Sequence, residues 1–245
     1  VRRGDVPVGA GAGGPLRGAT VAAEDVHGED GLGGTELPEP AFRPNARGAV
    51  RLMADTLREA DEPVTLIPLA PLTNVATFLR EHPELEDRIS RIVLMGGSME
   101  RGNTTPRAEF NIYADPEAAR EVFESGLPIT MVGLDVTRGA RAGPEEVAKM
   151  LSLGRMGEIV ARLVTGAAAD EEPSGLPAPP IHDAVAVASV IEPGILRTRW
   201  MRVDVGSDGE ARGQTYATSG APPGGRPTPT SGSVWTGRHS SRFCA

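Results

Sequence analysis

At 245 residues the chain is long enough for one large α/β domain with a sizeable buried core. Its net charge of −8 leaves no basic stripe to release counterions, which excludes a nucleic-acid backbone or an anionic membrane surface as partner. The single cysteine, Cys244, excludes a disulfide framework and a zinc cluster and fits a reducing compartment. No apolar run approaches membrane-spanning length and no signal peptide is visible, so the expected location is the cytoplasm.

Residues 1–34 are rich in glycine and short on periodicity, with Pro7-Val8 as a brief candidate strand. His27 lies there between glycine-rich turns, a setting in which a histidine is ordinarily just solvated. Pro44 can open a helix in which Ala49, Met53, Leu57 and Ala60 recur at helical spacing, ended by Pro63. Val64 to Ala70 is an apolar run of the buried parallel-strand type, followed by a tight turn at Thr73 and Asn74 and a helix carrying Val75, Phe78 and Leu79. Ile92 to Met95 before Gly96-Gly97 repeats the pattern, and so does Ile129 to Leu134 before Asp135-Val136-Thr137. Three strands of one parallel sheet therefore end in polar or glycine-rich turns. Ligands of open α/β sheets sit outside those ends, so Thr73, Asn74, Met95 and the loop from Gly96 to Asn111 are expected to border one crevice.

That loop runs into a strongly signalled helix with Asp115 as N-cap, Pro116 as its first residue and Gly126 as its stop. Before the cap, Glu109 and Asn111 alternate with Phe110 and Ile112. An extended backbone would put the two polar side chains on one face, where with Asn103 they suit the hydroxyls of a sugar. The alternative is a polar loop that only caps its own helix.

Residues 143–166 read as helical but interrupted at Gly154 and Gly157, and the acidic, proline-rich stretch 170–180 reads as a loop. His182 to Ala188 is a small-residue helix, and Trp200, Val203 and Val205 mark a last strand. The expected organisation is one α/β domain over 1–206 and a low-complexity, poorly ordered tail over 207–245. A reading-frame error would leave the same kind of tail.

Six strings, VHGEDGLGG (26–34), PLTNVATFLREHPEL (71–85), RIVLMGG (91–97), GNTTPRAEFNIYADPEAA (102–119), TMVGLDVT (130–137) and PIHDAVAV (180–187), resemble in order those of the inosine-uridine preferring nucleoside hydrolases. The resemblance implies a Rossmann-like, mostly parallel sheet flanked by helices, and hydrolysis of the N-glycosidic bond of ribonucleosides by metal-activated water. It further implies a calcium ion, a small-molecule nucleoside as partner and a homodimer or homotetramer. By the same transfer, Asn103, Glu109 and Asn111 hold the ribose hydroxyls, Met95 packs on the sugar and His27 stands at the pocket rim. His182 is placed near the leaving base as general acid, and Asp183 and the Thr73 carbonyl are metal ligands. From pattern alone Asp183 reads equally as a helix cap, and His182 as its structural partner.

One departure is large. The family opens with a strand and a D-x-D-x-G-x-D-D loop that supplies most metal carboxylates and the base, whereas Asp5, Asp25 and Asp30 stand isolated in residues 1–34. The expectation is a chain that begins after that first strand and is catalytically dead as written. A degenerate nucleoside- or ribose-binding protein is the alternative reading. No G-x-S-x-G elbow, P-loop or dinucleotide fingerprint points to another class.

Overall fold

The structure is a computed structural model that describes residues 5–24, 28–40, 43–166, 179–218 and 233–234. His27, the 170–178 part of the acidic loop, Cys244 and most of the expected tail lie outside the described residues. Packing divides the chain into two units, the larger formed by Pro7–Thr20, Pro44–Thr137 and His182–Ala245, the smaller by Val1–Val6, Val21–Arg43 and Arg138–Ile181.

The larger unit is built on a five-stranded, mostly parallel sheet. Strands β1 (Val64–Leu66), β2 (Ile89–Met95) and β3 (Ile129–Val132) run parallel, β3 pairs in parallel with β7 (Ser233–Val234), and β4 (Arg199–Trp200) closes the far edge antiparallel to β7. Successive side chains of a strand point to opposite faces, and both faces of β2 are buried. Ile92 and Leu94 join the core made with helices α1 (Gly48–Glu59), α2 (Thr73–Glu81) and α4 (Pro116–Glu124), which contribute Leu57, Phe78 and Val122. Helix α8 (His182–Ile191) also packs on β2 and buries Val185 and Ala186. A sheet covered on both faces needs continuous apolar strands, which is what the runs at 92–95 and 129–132 supply. Helix α4 starts where its signals place it, with the Asp115 side chain accepting from Ala118 N–H and Pro116 in the first turn.

Several expectations are corrected. The first helix begins at Gly48 rather than Pro44, because Asn45 folds 45–48 into a turn by accepting the Arg47 N–H. Val8 makes an isolated contact with Asn45 and no strand. The run 64–70 is a strand only to Leu66; two prolines follow, although the Pro68 carbonyl still accepts from Met95 N–H. Asp135-Val136-Thr137 is no open turn but part of a one-turn helix, α5 (Leu134–Thr137), directly after β3. The last strand splits: Trp200 belongs to β4, while Val203 and Val205 lie in β5 (Arg202–Val205), which forms a separate two-stranded hairpin with β6 (Thr215–Thr218). That hairpin carries regular structure to Thr218, past the position where the sequence suggests a tail, because Val203, Val205 and Thr215 are buried.

In the smaller unit the helical stretch is two helices, α6 (Pro144–Ser152) and α7 (Arg155–Gly166), parted at Gly154 as expected. Arg141 and Pro180 form an antiparallel bridge beside them.

Candidate active site

The residues singled out in the larger unit gather at the carboxyl ends of β1, β2 and β3. The stretch before Asp115 is not extended, however. Phe110–Ala114 forms a short helix, α3, and Glu109 is its N-cap, accepting at Oε1 from Asn111 N–H (2.9 Å) and at Oε2 from Ile112 N–H (3.1 Å). Two N–H groups at a helix start have no partner within the helix, and a carboxylate placed before them satisfies both. Local capping thus overrides the alternation read from Glu109, Phe110, Asn111 and Ile112.

Glu109 does more than cap. Its Oε2 also accepts from Gly97 N–H at 2.9 Å, joining the loop to the end of β2, and the residue is only 2% exposed. Gly97 sits at φ +77°, and a Cβ there would meet the Met131 sulfur at 2.8 Å, so only glycine presents its N–H in this way. Burial pushes the Glu109 carboxyl up from 4.5 to about 7; the Asp183 charge acts in the same direction, while the three N–H groups oppose it. Helix α8, which carries Asp183, packs on β2, the strand after which Gly97 reaches Glu109.

Asn111 is buried and its Nδ2 donates to the Met95 carbonyl (3.1 Å) and, at 3.5 Å, to the Leu69 carbonyl, bridging the ends of β2 and the β1 segment. Its Nδ2 also lies 3.7 Å from the Met95 sulfur. Asn103 is exposed, and its Oδ1 accepts from Phe110 N–H at 2.9 Å. Thr73 opens α2, donating its hydroxyl to Asp115 at 2.6 Å. His182 begins α8 with Nδ1 2.6 Å from the hydroxyl of Thr137, the last residue of α5. Asp183 lies in the first turn of that helix, exposed, not at its cap position.

Four contributors escaped the sequence reading. Asp115, read only as a cap, is wholly buried and accepts from Leu16 N–H (2.8 Å) and the Thr73 hydroxyl as well as from Ala118 N–H. Asp135 accepts from the N–H groups of Met99 and Glu100 and from the Ser98 hydroxyl, fixing the start of the loop. Thr137 orients His182, and Thr215 holds Ser98 from the hairpin. Local pattern carries no signal for partners this remote.

The raised carboxyl has a measurable consequence. The folded form holds the Glu109 proton up to about pH 7, whereas the unfolded chain gives it up near 4.5. Between those values the folded state binds more protons, so stability is fully present below 4.5 and falls as pH rises through 7. The loss is on the order of 3 kcal/mol. Glu109→Gln is expected to flatten that decline, measured by urea unfolding from pH 4.5 to 8.5; an unchanged slope would assign the pH dependence to other groups.

A buried carboxylate and amides at the carboxyl ends of parallel strands define an α/β enzyme of the kind that binds a polar small ligand in its sheet crevice. A sequence-family model described as inosine-uridine preferring nucleoside hydrolase matches residues 1–241, and the chain belongs to that family. It is 47% identical over 209 residues to the pyrimidine-specific ribonucleoside hydrolase RihA of Escherichia coli O127:H6, a match spanning 83% of this chain and 67% of the relative. The RihA of Salmonella schwarzengrund is 46% identical over the same length. Among solved structures, a purine-preferring ribonucleoside hydrolase from Gardnerella vaginalis superposes with a TM-score of 0.85 at 29% identity, covering 95% of this chain and 75% of that one. A plant nucleoside hydrolase gives 0.81 at 28%, over 94% and 76%. The family is one of enzymes acting on small-molecule nucleosides, and among the described residues no helix is long and apolar enough to cross a membrane.

Proposed function

We propose that the crevice binds the ribose of a ribonucleoside and serves cleavage of its N-glycosidic bond. The observation that carries this reading is the Glu109 carboxylate, buried and held by three N–H groups at the end of β2. A fixed, desolvated carboxylate can accept sugar hydroxyls and stabilise positive charge developing on the ribosyl ring. Asn111 Oδ1 and the exposed Asn103 amide offer further polar contacts for the hydroxyls, and Met95 packs beside them. With Nδ1 of His182 held by Thr137, proton delivery to the departing base falls to Nε2. The 47% identity to a pyrimidine-specific enzyme favours uridine and cytidine as the substrates to test first. His27 at the rim, a cytoplasmic location and a dimeric or tetrameric assembly complete the proposal.

Calcium fits less well. Asp183 and the Thr73 carbonyl are the proposed ligands, but that carbonyl already accepts the Thr77 hydroxyl at 2.8 Å. Among the described residues no three His, Cys, Asp or Glu side chains are grouped to hold a metal ion. Two oxygens fall well short of the roughly six to eight that calcium takes. Among the described residues, Asp183 and the Thr73 carbonyl do not by themselves complete a calcium site; a ribose-binding protein without turnover is the second reading.

The test is a binding and cleavage assay on that polypeptide with uridine, cytidine and inosine, with and without calcium. Saturation transfer is expected to the ribose protons of the nucleosides, and released ribose reports cleavage. Transfer confined to the base protons would overturn the ribose assignment of Glu109 and Asn111. Ribose release with tight calcium binding would show that an acidic pair in residues 1–34 completes the site.

A further inference from the structure

The hairpin of β5 and β6 contacts the loop that carries Glu109 on both sides of that residue. On the near side, the Thr215 hydroxyl donates to the Ser98 carbonyl at 2.6 Å and accepts from the Ser98 N–H at 3.1 Å, across 117 positions of sequence. One side chain thereby satisfies both backbone groups of a buried residue, as a neighbouring strand would. Gln214 bridges Ala108, directly before Glu109, and on the far side Gly213 lies so close to Tyr113 that a Cβ there would come within 2.5 Å of the Tyr113 Cα. The Arg212 guanidinium stands over the Tyr113 ring at 5.5 Å, with its Nη1 3.9 Å from Glu117 Oε1. Glu117 Oε2 is buried with no hydrogen-bond partner among the described residues, so the cation beside it offsets the charge.

Thr215 is 4% exposed and adjoins the one backbone donor that reaches Glu109 from the sheet. Its methyl carbon would lie 3.1 Å from a Cβ on Gly97, whose carbonyl in turn accepts from Leu134 N–H at 2.9 Å. Gly97 is thus confined between β3 and the hairpin, with its N–H aimed at Glu109 Oε2.

We infer that Thr215 is a positioning residue for the ribose site: its hydroxyl fixes Ser98, and through Ser98 the Gly97 N–H that holds the Glu109 carboxylate. Displacement of a binding group by a fraction of its hydrogen-bond length weakens the contact it makes, so loss of the latch is felt at the ligand although Thr215 does not touch it. The inference rests on the reading of Glu109 as a ribose ligand, and two separate readouts keep the two claims apart.

Thr215→Val removes the hydroxyl and keeps the shape, whereas Thr215→Ser keeps the hydroxyl. Amide exchange at Gly97, followed by NMR on the 245-residue chain, is expected to accelerate about tenfold in Thr215→Val and to return to the parent rate in Thr215→Ser. Calorimetric titration with uridine and with ribose is expected to show a similar loss, about tenfold, in Thr215→Val, with recovery in Thr215→Ser. Should Thr215→Val fail to fold, Thr215→Cys gives the same comparison with a weaker donor and acceptor. Unchanged exchange at Gly97 would overturn the latch. Faster exchange with unaltered ribose affinity would reduce Thr215 to a structural role and overturn the inference. If the parent chain binds neither uridine nor ribose, the functional reading of the site fails, and the inference fails with it.

Discussion

Glu109→Ala is expected to abolish ribose binding and to destabilise the fold at the same time. The carboxylate accepts from Gly97, Asn111 and Ile112, and all three donors are buried. Truncation leaves them without an acceptor, at about 1–3 kcal/mol for each group that water cannot reach. Release of a desolvated carboxyl offsets part of this, so the net loss is about 2–4 kcal/mol at neutral pH. A melting point lower by about 5–15 °C is expected. Glu109→Gln keeps one acceptor oxygen and is expected to lose roughly half as much stability. Scanning calorimetry on both variants checks the order. A Glu109→Ala protein as stable as the parent would mean that the three donors find water, and that the carboxylate is held for the ligand alone.

Asp115→Asn is expected to be nearly as costly, although no ligand contact is assigned to it. Asp115 accepts from Leu16 N–H and the Thr73 hydroxyl at Oδ2 and from Ala118 N–H at Oδ1, so one carboxylate ties three segments together. An asparagine turns an NH2 toward at least one of these donors, setting donor against donor in a wholly buried place. The expected loss is about 2–3 kcal/mol, read as a shift of the urea midpoint at unchanged slope. Residues 9–16 should lose amide protection first, since Leu16 is held through that oxygen and Ala12 N–H through Asn74 Oδ1 nearby. If protection falls instead at α8, the tie between the segments is not what Asp115 supplies.

These two carboxylates mark where sequence reading stopped. Asp115 was legible as a cap because Asp-Pro-Glu before an apolar periodicity is a local signal, and the helix begins there. Glu109 was legible as a polar residue near a sheet end, yet its environment was misread. Alternation over four residues says strand, but a carboxylate able to reach the N–H groups two and three residues on makes a helix start. The two signals compete within one turn of chain, and the contact with Gly97, 12 positions back, decides for the helix. The second strand of the hairpin, Thr215–Thr218, was missed for the opposite reason. It is short, polar in alternate positions and low in apolar content, so its burial comes from the core it lands on rather than from its own composition.

The sequence by itself determined the parallel order of β1, β2 and β3, the helices between them and the loops at their carboxyl ends, because apolar periodicity and end caps are set by neighbours within a few residues. Family motifs in order added which polar residues to expect at the site. Only the tertiary structure decided that Glu109 and Asp115 are buried, that Asn111 joins the ends of two strands and that Thr215 reaches Ser98 across 117 positions. Burial, the carboxyl raised to about 7 and each long-range hydrogen bond depend on what folding brings alongside a residue, and no window of sequence contains those partners.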